Sequence, residues 1–191
     1  MKFSTWNVFS GKKACERQAG FTLIEMLVVA AITGFITTSL VVNFSKARLD
    51  IKRGGNFVIS VVRDAQTKAT SSAKYNNYNP CGYGIHYIDA SSFAIYAGPN
   101  ASTTTCANIN RNYQLGEDSL LAVQVFGESG VRFMSSFPDI FFEPPDPKTY
   151  LNDNGSLNQP PVAITIGETN GTCPQNCKTI NVYPSGKIEL Q

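Results

Sequence analysis

Glu25 is the residue with the most chemistry to account for. It is the only charged side chain in the apolar run from Phe21 to Phe44, which opens with Gly20-Phe21-Thr22-Leu23-Ile24-Glu25. A carboxylate one turn into a membrane span costs on the order of 2.5–3.5 kcal/mol on insertion scales unless something pairs with it. That cost asks for a partner. Few other residues offer chemistry. His86 is the only histidine and falls in the middle of a strand pattern. Glu117-Asp118, Glu143 and Asp146 sit in loops or at strand ends, where carboxylates are usually solvated or form turns. No nucleophile has a motif around it and no glycine loop is built for phosphate, so the chain reads as no enzyme, with no catalytic residue, cofactor or metal.

The elements that must position Glu25 follow from patterning. At about 1.5 Å per residue, a helix from Phe21 to Phe44 spans the roughly 30 Å bilayer core with some tilt. Gly34 within it is a candidate point of close helix approach. Beyond it Ile51, Gly55, Val58, Val62, Ala65, Ala69 and Ala73 recur at spacings of three or four and define one apolar stripe, which predicts an amphipathic continuation of the helix. Gly54-Gly55 predicts a bend or weak point, and Tyr75-Asn76-Asn77 ahead of Pro80 predicts the helix end.

From Cys81 the period changes to that of strands. Tyr83–Ile88 and Ser92–Tyr96 read as a hairpin, followed by strand candidates Leu121–Phe126, Val131–Phe133, Ile140–Glu143, Val162–Ile166, Ile180–Tyr183 and Lys187–Leu190. Pro184-Ser185-Gly186 supplies the last turn. Gly98 to Ser119 and Pro144 to Pro161 read as long surface loops. Composition, 42% hydrophobic and 16% charged over 191 residues, fits one globular domain plus a membrane segment. The charge is uneven. Residues 1–20 carry a net +3, residues 46–75 a net +5 and residues 76–191 a net −5. Lys and Arg flank both ends of the span in similar number, so the positive-inside rule alone does not set its orientation.

The stretch Gly20–Glu25 at the head of the apolar run resembles the processing site of type IV prepilins and of the pseudopilins of type II secretion, with all six positions matching. The resemblance implies that residues 1–20 are a leader removed by a prepilin peptidase cutting after Gly20, and that Phe21 becomes an N-methylated amine. It makes Glu25 the assembly glutamate, for which that amine, in the same chain or the next subunit, is a natural partner. A secretory signal peptide would instead be cut after its apolar region, at small residues. The implied organisation is a leader at 1–20, a transmembrane and assembly helix at 21–44, its amphipathic continuation at 45–75 and a β head at 76–191. This is an α+β pilin-like fold, with one long helix packed on an antiparallel sheet.

Within that superfamily the Gly84-Ile85 strand, the Phe141-Phe142-Glu143-Pro144 strand end and the Ile180–Ile188 hairpin resemble GspH/FimT-type minor pilins. The implied location is the bacterial inner membrane, single-pass, with the head outside the cytoplasm and then in a periplasmic or surface filament. The basic residues after Phe44 are then placed to meet anionic headgroups.

Removal of the leader takes Cys15 with it and leaves Cys81, Cys106, Cys173 and Cys177. Four cysteines in an extracytoplasmic domain argue for disulfides, and the favoured pairs are Cys173–Cys177 and Cys81–Cys106. Zinc on four thiolates is the alternative, but Cys173-x3-Cys177 has no second close pair to complete it. The expected partners are the prepilin peptidase, other pilin or pseudopilin subunits and the inner membrane. Two further functions stay in view. Some FimT-like minor pilins are associated with DNA uptake, a role that the net −5 of the head disfavours. A membrane-anchored enzyme lacks a constellation to support it.

Overall fold

A computed structural model describes residues 21–145 and 147–191. Among these residues one α-helix, α1 (Leu23–Thr70), precedes nine strands: β1 (Tyr83–Asp89), β2 (Ser92–Ala97), β3 (Ser119–Val125), β4 (Val131–Phe133), β5 (Ile140–Glu143), β6 (Lys148–Leu151), β7 (Val162–Glu168), β8 (Cys177–Val182) and β9 (Ile188–Leu190). The chain divides into two compact units after Val42. The first is the N-terminal part of α1. The second, from Asn43 onward, is the head, and its core is described first.

The apolar stripe of α1 is the reason the head has a core. Val58, Val62, Ala65 and Ala69 are fully buried and Ile51 nearly so, while Lys52, Asn56, Arg63 and Asp64 face solvent. At roughly 1.5–3 kcal/mol for each large aliphatic side chain buried, this face contributes more than any helix propensity could. The helix runs unbroken through Gly54-Gly55, against the expectation of a weak point there. The two glycines mark close approach instead: a Cβ at Gly54 would stand 2.9 Å from Val131 Cγ1, and one at Gly55 would stand 3.2 Å from Leu190 Cδ1.

The helix also ends earlier than Tyr75-Asn76-Asn77. The Ala73 N–H donates to Lys68 O and the Ser72 N–H to Ala69 O, both at 2.9 Å, with Ser72 at φ +47°. This is a Schellman close, with a serine in the left-handed position that glycine usually takes. Asn76 and Asn77 (φ +44° and +66°) then form a tight two-residue turn, across which Tyr75 and Tyr78 exchange backbone bonds of 2.9 Å.

The strands form two antiparallel sheets, in the orders β3-β2-β1-β5-β6 and β4-β7-β8-β9. Alternation divides the five-stranded sheet cleanly. Tyr83, Ile85, Phe93, Ile95, Ile140 and Phe142 face the main core with α1, whereas Tyr96, Phe141 and Tyr150 point to the other face and build a second cluster with Cys81 and Ile109. That second face is covered by the segment from Gly98 to Ser119. The expectation of a plain surface loop is therefore corrected: Ile109 and Arg111 within it are each 9% exposed, because a sheet that is apolar on both faces needs cover on both.

The second expected loop, Pro144 to Pro161, contains β6, which pairs with β5 in the register Ile140↔Leu151 to Glu143↔Lys148. Thr149, Tyr150 and Leu151 are buried there. At the C-terminal hairpin, Gly186 takes φ +79° and its N–H donates to Tyr183 O at 2.9 Å, closing the turn between β8 and β9. At the edge of the larger sheet, β3 carries no charge and no proline. Leu120, Val123 and Val125 in it are exposed.

Candidate functional site

The first unit is the candidate site. Thr22 precedes the first helical residue, and its side chain and that of Glu25 satisfy the helix start reciprocally. Glu25 N–H donates to Thr22 Oγ1 at 3.3 Å, and Glu25 Oε2 accepts from Thr22 N–H and Thr22 Oγ1, both at 3.0 Å. This is a capping box, and it also sets the carboxylate in the first turn, where the helix dipole favours negative charge. Only Oε2 is engaged. Among the described residues Oε1 has no hydrogen-bond partner, so half of the carboxylate is held by its own helix and half is open. Thr22-Leu-Ile-Glu25 ahead of an apolar run is itself a readable capping signal, and it explains how the span tolerates Glu25 before any second chain is present. Of the expected processing boundary, Phe21 is 78% exposed, while Gly20 lies outside the described residues.

The rest of the span, Leu23–Val42, is a 20-residue apolar helix with none of its membrane-length window buried among the described residues. Leu23, Ile24, Phe35, Val41 and Val42 are all more than 60% exposed. Its polar groups are internally satisfied: Thr33 Oγ1 donates to Val29 O at 2.8 Å, Thr37 Oγ1 to Thr33 O at 2.8 Å, Thr38 Oγ1 to Gly34 O at 3.0 Å and Ser39 Oγ to Phe35 O at 3.0 Å. Hydroxyls returned to the i−4 carbonyl leave none of these four side chains unpaired toward hydrocarbon, so the surface beyond Glu25 fits lipid or the apolar face of another helix. A Cβ at Gly34 would have no neighbour within 4 Å. Any close approach at that glycine has to come from a second helix.

The chemically capable residues of the head are tied into its framework. His86 Nδ1 lies 2.8 Å from Asp139 Oδ1, and Asp139 Oδ2 accepts the Tyr113 N–H at 2.7 Å. Together they fasten the covering segment to β1. Arg111 donates to Glu143 Oε2 through Nε and Nη2 at 3.2 Å, lies 3.9 Å over the Tyr150 ring and bonds the carbonyls of Ile109 and Cys106 at 3.2 Å. Asp118 accepts the Gln114 N–H at 2.7 Å in a turn that holds Gly116 at φ +95°. Burial pushes its carboxyl up to about 6, against that backbone bond, which lowers it. Glu117 lies beside it and is exposed. Asp146 is outside the described residues. No three His, Cys, Asp or Glu side chains gather as a metal site among the described residues.

Cys81 and Cys106 are bonded, joining the start of β1 to the covering segment, and Cys173 is bonded to Cys177 in a short loop ahead of β8. What the sequence reading missed is in part non-local. Nothing in the spacing of Arg111, Glu143 and Tyr150 places them together.

Residues 16–41 match the family model described as the prokaryotic N-terminal methylation motif. No curated protein and no solved structure matches the chain.

Proposed function

We propose, starting from a chain that carries the prokaryotic N-terminal methylation motif, the signature of type IV pilins and pseudopilins, that this protein is a minor pilin or pseudopilin. In this reading a prepilin peptidase cuts between Gly20 and Phe21, and Phe21 is methylated on its new amine. The subunit then leaves the inner membrane for a filament through contacts of residues 21–44 with neighbouring helices, with the head outside the cytoplasm.

The observation that carries the reading is the state of Glu25. Among the described residues one carboxylate oxygen is spent on Thr22 and the other has no hydrogen-bond partner, at the mouth of a helix whose apolar surface those residues leave bare. An ammonium at Phe21, in the same chain or the next, has a ready acceptor there, and desolvation in a bundle sharpens such a pair. The GspH/FimT-like assignment is supported by the strands that suggested it. The Gly84-Ile85 and Phe141-Phe142 segments are paired neighbours in one sheet, and the Ile180–Ile188 hairpin is β8–β9.

The nucleic-acid reading loses ground on the five basic residues of the β portion, residues 76–191. Arg111 is bonded to Glu143, Lys148 lies over Tyr150 and Lys187 is paired with Glu189, which leaves Arg132 and Lys178 for phosphates.

The test is intact-mass analysis of the membrane-extracted protein. Loss of residues 1–20 plus one methyl group at Phe21 is expected. A mature chain that keeps Lys12 and Lys13, or one cut beyond Phe44, overturns the proposal.

A further inference from the structure

Three basic residues from two distant parts of the chain meet at one groove of the head. Arg48 and Lys52 come from α1 and Lys178 from β8, and together with Ile51, Pro174 and Gln175 they line a cavity of about 380 Å³. All three cations are exposed and Ile51 beneath them is buried. Among the described residues none of the three has a carboxylate oxygen within the 4.0 Å of an ion pair, in contrast to Arg53, which is 3.7 Å from Asp50. The Cys173–Cys177 bond closes the loop that carries Pro174 and Gln175 and leads directly into Lys178. The groove therefore offers converging positive charge over an apolar floor, with its one non-local cation fixed by a covalent loop.

Its position narrows what it takes. Arg48 is the sixth residue after Val42, and six residues reach no more than about 20 Å even when fully extended. A bilayer whose core ends near Val42 therefore has its headgroup layer within reach of the groove. Soluble anions have no such tether, and the apolar floor suits a glyceride backbone better than a free ion.

We propose that this groove binds the phosphate headgroup of one anionic phospholipid, with Lys178 completing a site that Arg48 and Lys52 begin. The proposal requires only that Leu23–Val42 lies in a bilayer, and stands whether or not the chain is processed or polymerised.

The test is native mass spectrometry of the full-length chain in detergent, titrated with phosphatidylglycerol or with phosphatidylcholine. The wild-type chain should retain one phosphatidylglycerol in preference to phosphatidylcholine. Lys178→Gln should weaken retention about fivefold, the worth of one basic residue at an anionic surface, and Arg48→Gln with Lys52→Gln should weaken it further. Lys178→Arg should retain the lipid, which separates lost charge from lost folding, and Arg63→Gln on the exposed face of α1 should change nothing. Equal retention by Lys178→Gln would reduce the groove to diffuse interfacial charge and overturn the proposal. So would displacement of the lipid by millimolar inorganic phosphate, which would make it a free-anion site. A second copy of the chain held without lipid and lost on Lys178→Gln would give the groove to an acidic neighbour instead.

Discussion

Tyr96 lays its ring on Gly84 across the β1–β2 pair. A Cβ at Gly84 would stand 2.3 Å from Tyr96 Cζ, while the Tyr96 hydroxyl donates to Arg111 O at 2.6 Å. The glycine thus makes room for a side chain that fastens the covering segment to the sheet. Gly84→Ala should displace that ring and destabilise the head by about 3 kcal/mol, at the upper end of overpacking costs. Gly55→Ala meets the side-chain ends of Leu190 and Ile166 at 3.2 and 3.4 Å and gains up to about 1 kcal/mol of helix propensity, so it should be close to neutral. Urea denaturation of the detergent-solubilised chain measures both. Equal midpoints for the two variants would contradict the packing described.

Asp118 should leave a signature in pH. The folded carboxyl holds its proton up to about 6, against an ordinary value of 3.8, so between these limits the folded state binds more protons than the unfolded one. Stability from this group is therefore greatest below the lower value and falls as pH rises through the window. Asp118→Asn keeps a carbonyl oxygen for the Gln114 N–H. It should flatten the slope between pH 4 and 6, and raise the thermal midpoint at pH 7.5 relative to wild type. A wild-type and variant difference that does not change with pH would remove this account of the turn.

The two disulfides should differ in worth. On the loop-entropy relation, closing 25 residues between Cys81 and Cys106 is worth about 3.5 kcal/mol, and closing four between Cys173 and Cys177 about 2 kcal/mol. Cys106→Ser should therefore lower the denaturation midpoint more than Cys177→Ser, and thiol titration of the wild-type head outside the cytoplasm should find none free. The reverse order of midpoints would show that the covering segment is held by its polar contacts alone.

Thr22 and Glu25 allow capping to be separated from charge. Thr22→Ala removes the two bonds made by Oγ1, keeps the backbone N–H on Glu25 Oε2, and should cost about 1 kcal/mol at the helix start. Glu25→Gln keeps a residue that serves a capping box and loses only the charge. If the charge pairs with the Phe21 amine, Glu25→Gln should insert, fold and be cut after Gly20, yet be lost from sheared filaments, and Glu25→Leu should behave the same way. Thr22→Ala should still be recovered in them. Blotting filament and membrane fractions decides the matter. Wild-type levels of Glu25→Gln and Glu25→Leu in filaments would assign assembly to apolar helix packing.

The parts of this fold legible in the sequence are those governed by local period. The buried stripe of α1 and the limits of β4 and β5 follow from residues three and four apart or two apart, which is where burial writes its pattern. β6 was hidden because its four residues sit between Pro147 and the Asn152-Asp153 turn, inside a stretch whose prolines announce a loop. The end of α1 was hidden because Ser72 takes a conformation that glycine usually announces. The division into two sheets, the cover on the second face and the contacts of Arg111 rest on pairings between distant residues that no local spacing encodes. At the candidate site the apolar span and its lone carboxylate were plain, whereas the Thr22 bonds that hold Glu25 needed the capping pattern to be read beside the membrane pattern.

The small residues on α1 also set how this protein can change over descent. Gly54 has no room for a methyl group, and Ala65 and Ala69 are wholly enclosed, so that face of the helix is nearly closed to larger residues. The opposite face, with Asn56 and Arg63, is open to almost any polar side chain. One helix thus ages at two speeds, and distant relatives are to be sought by a spaced register of glycine and alanine beneath a surface that has been rewritten.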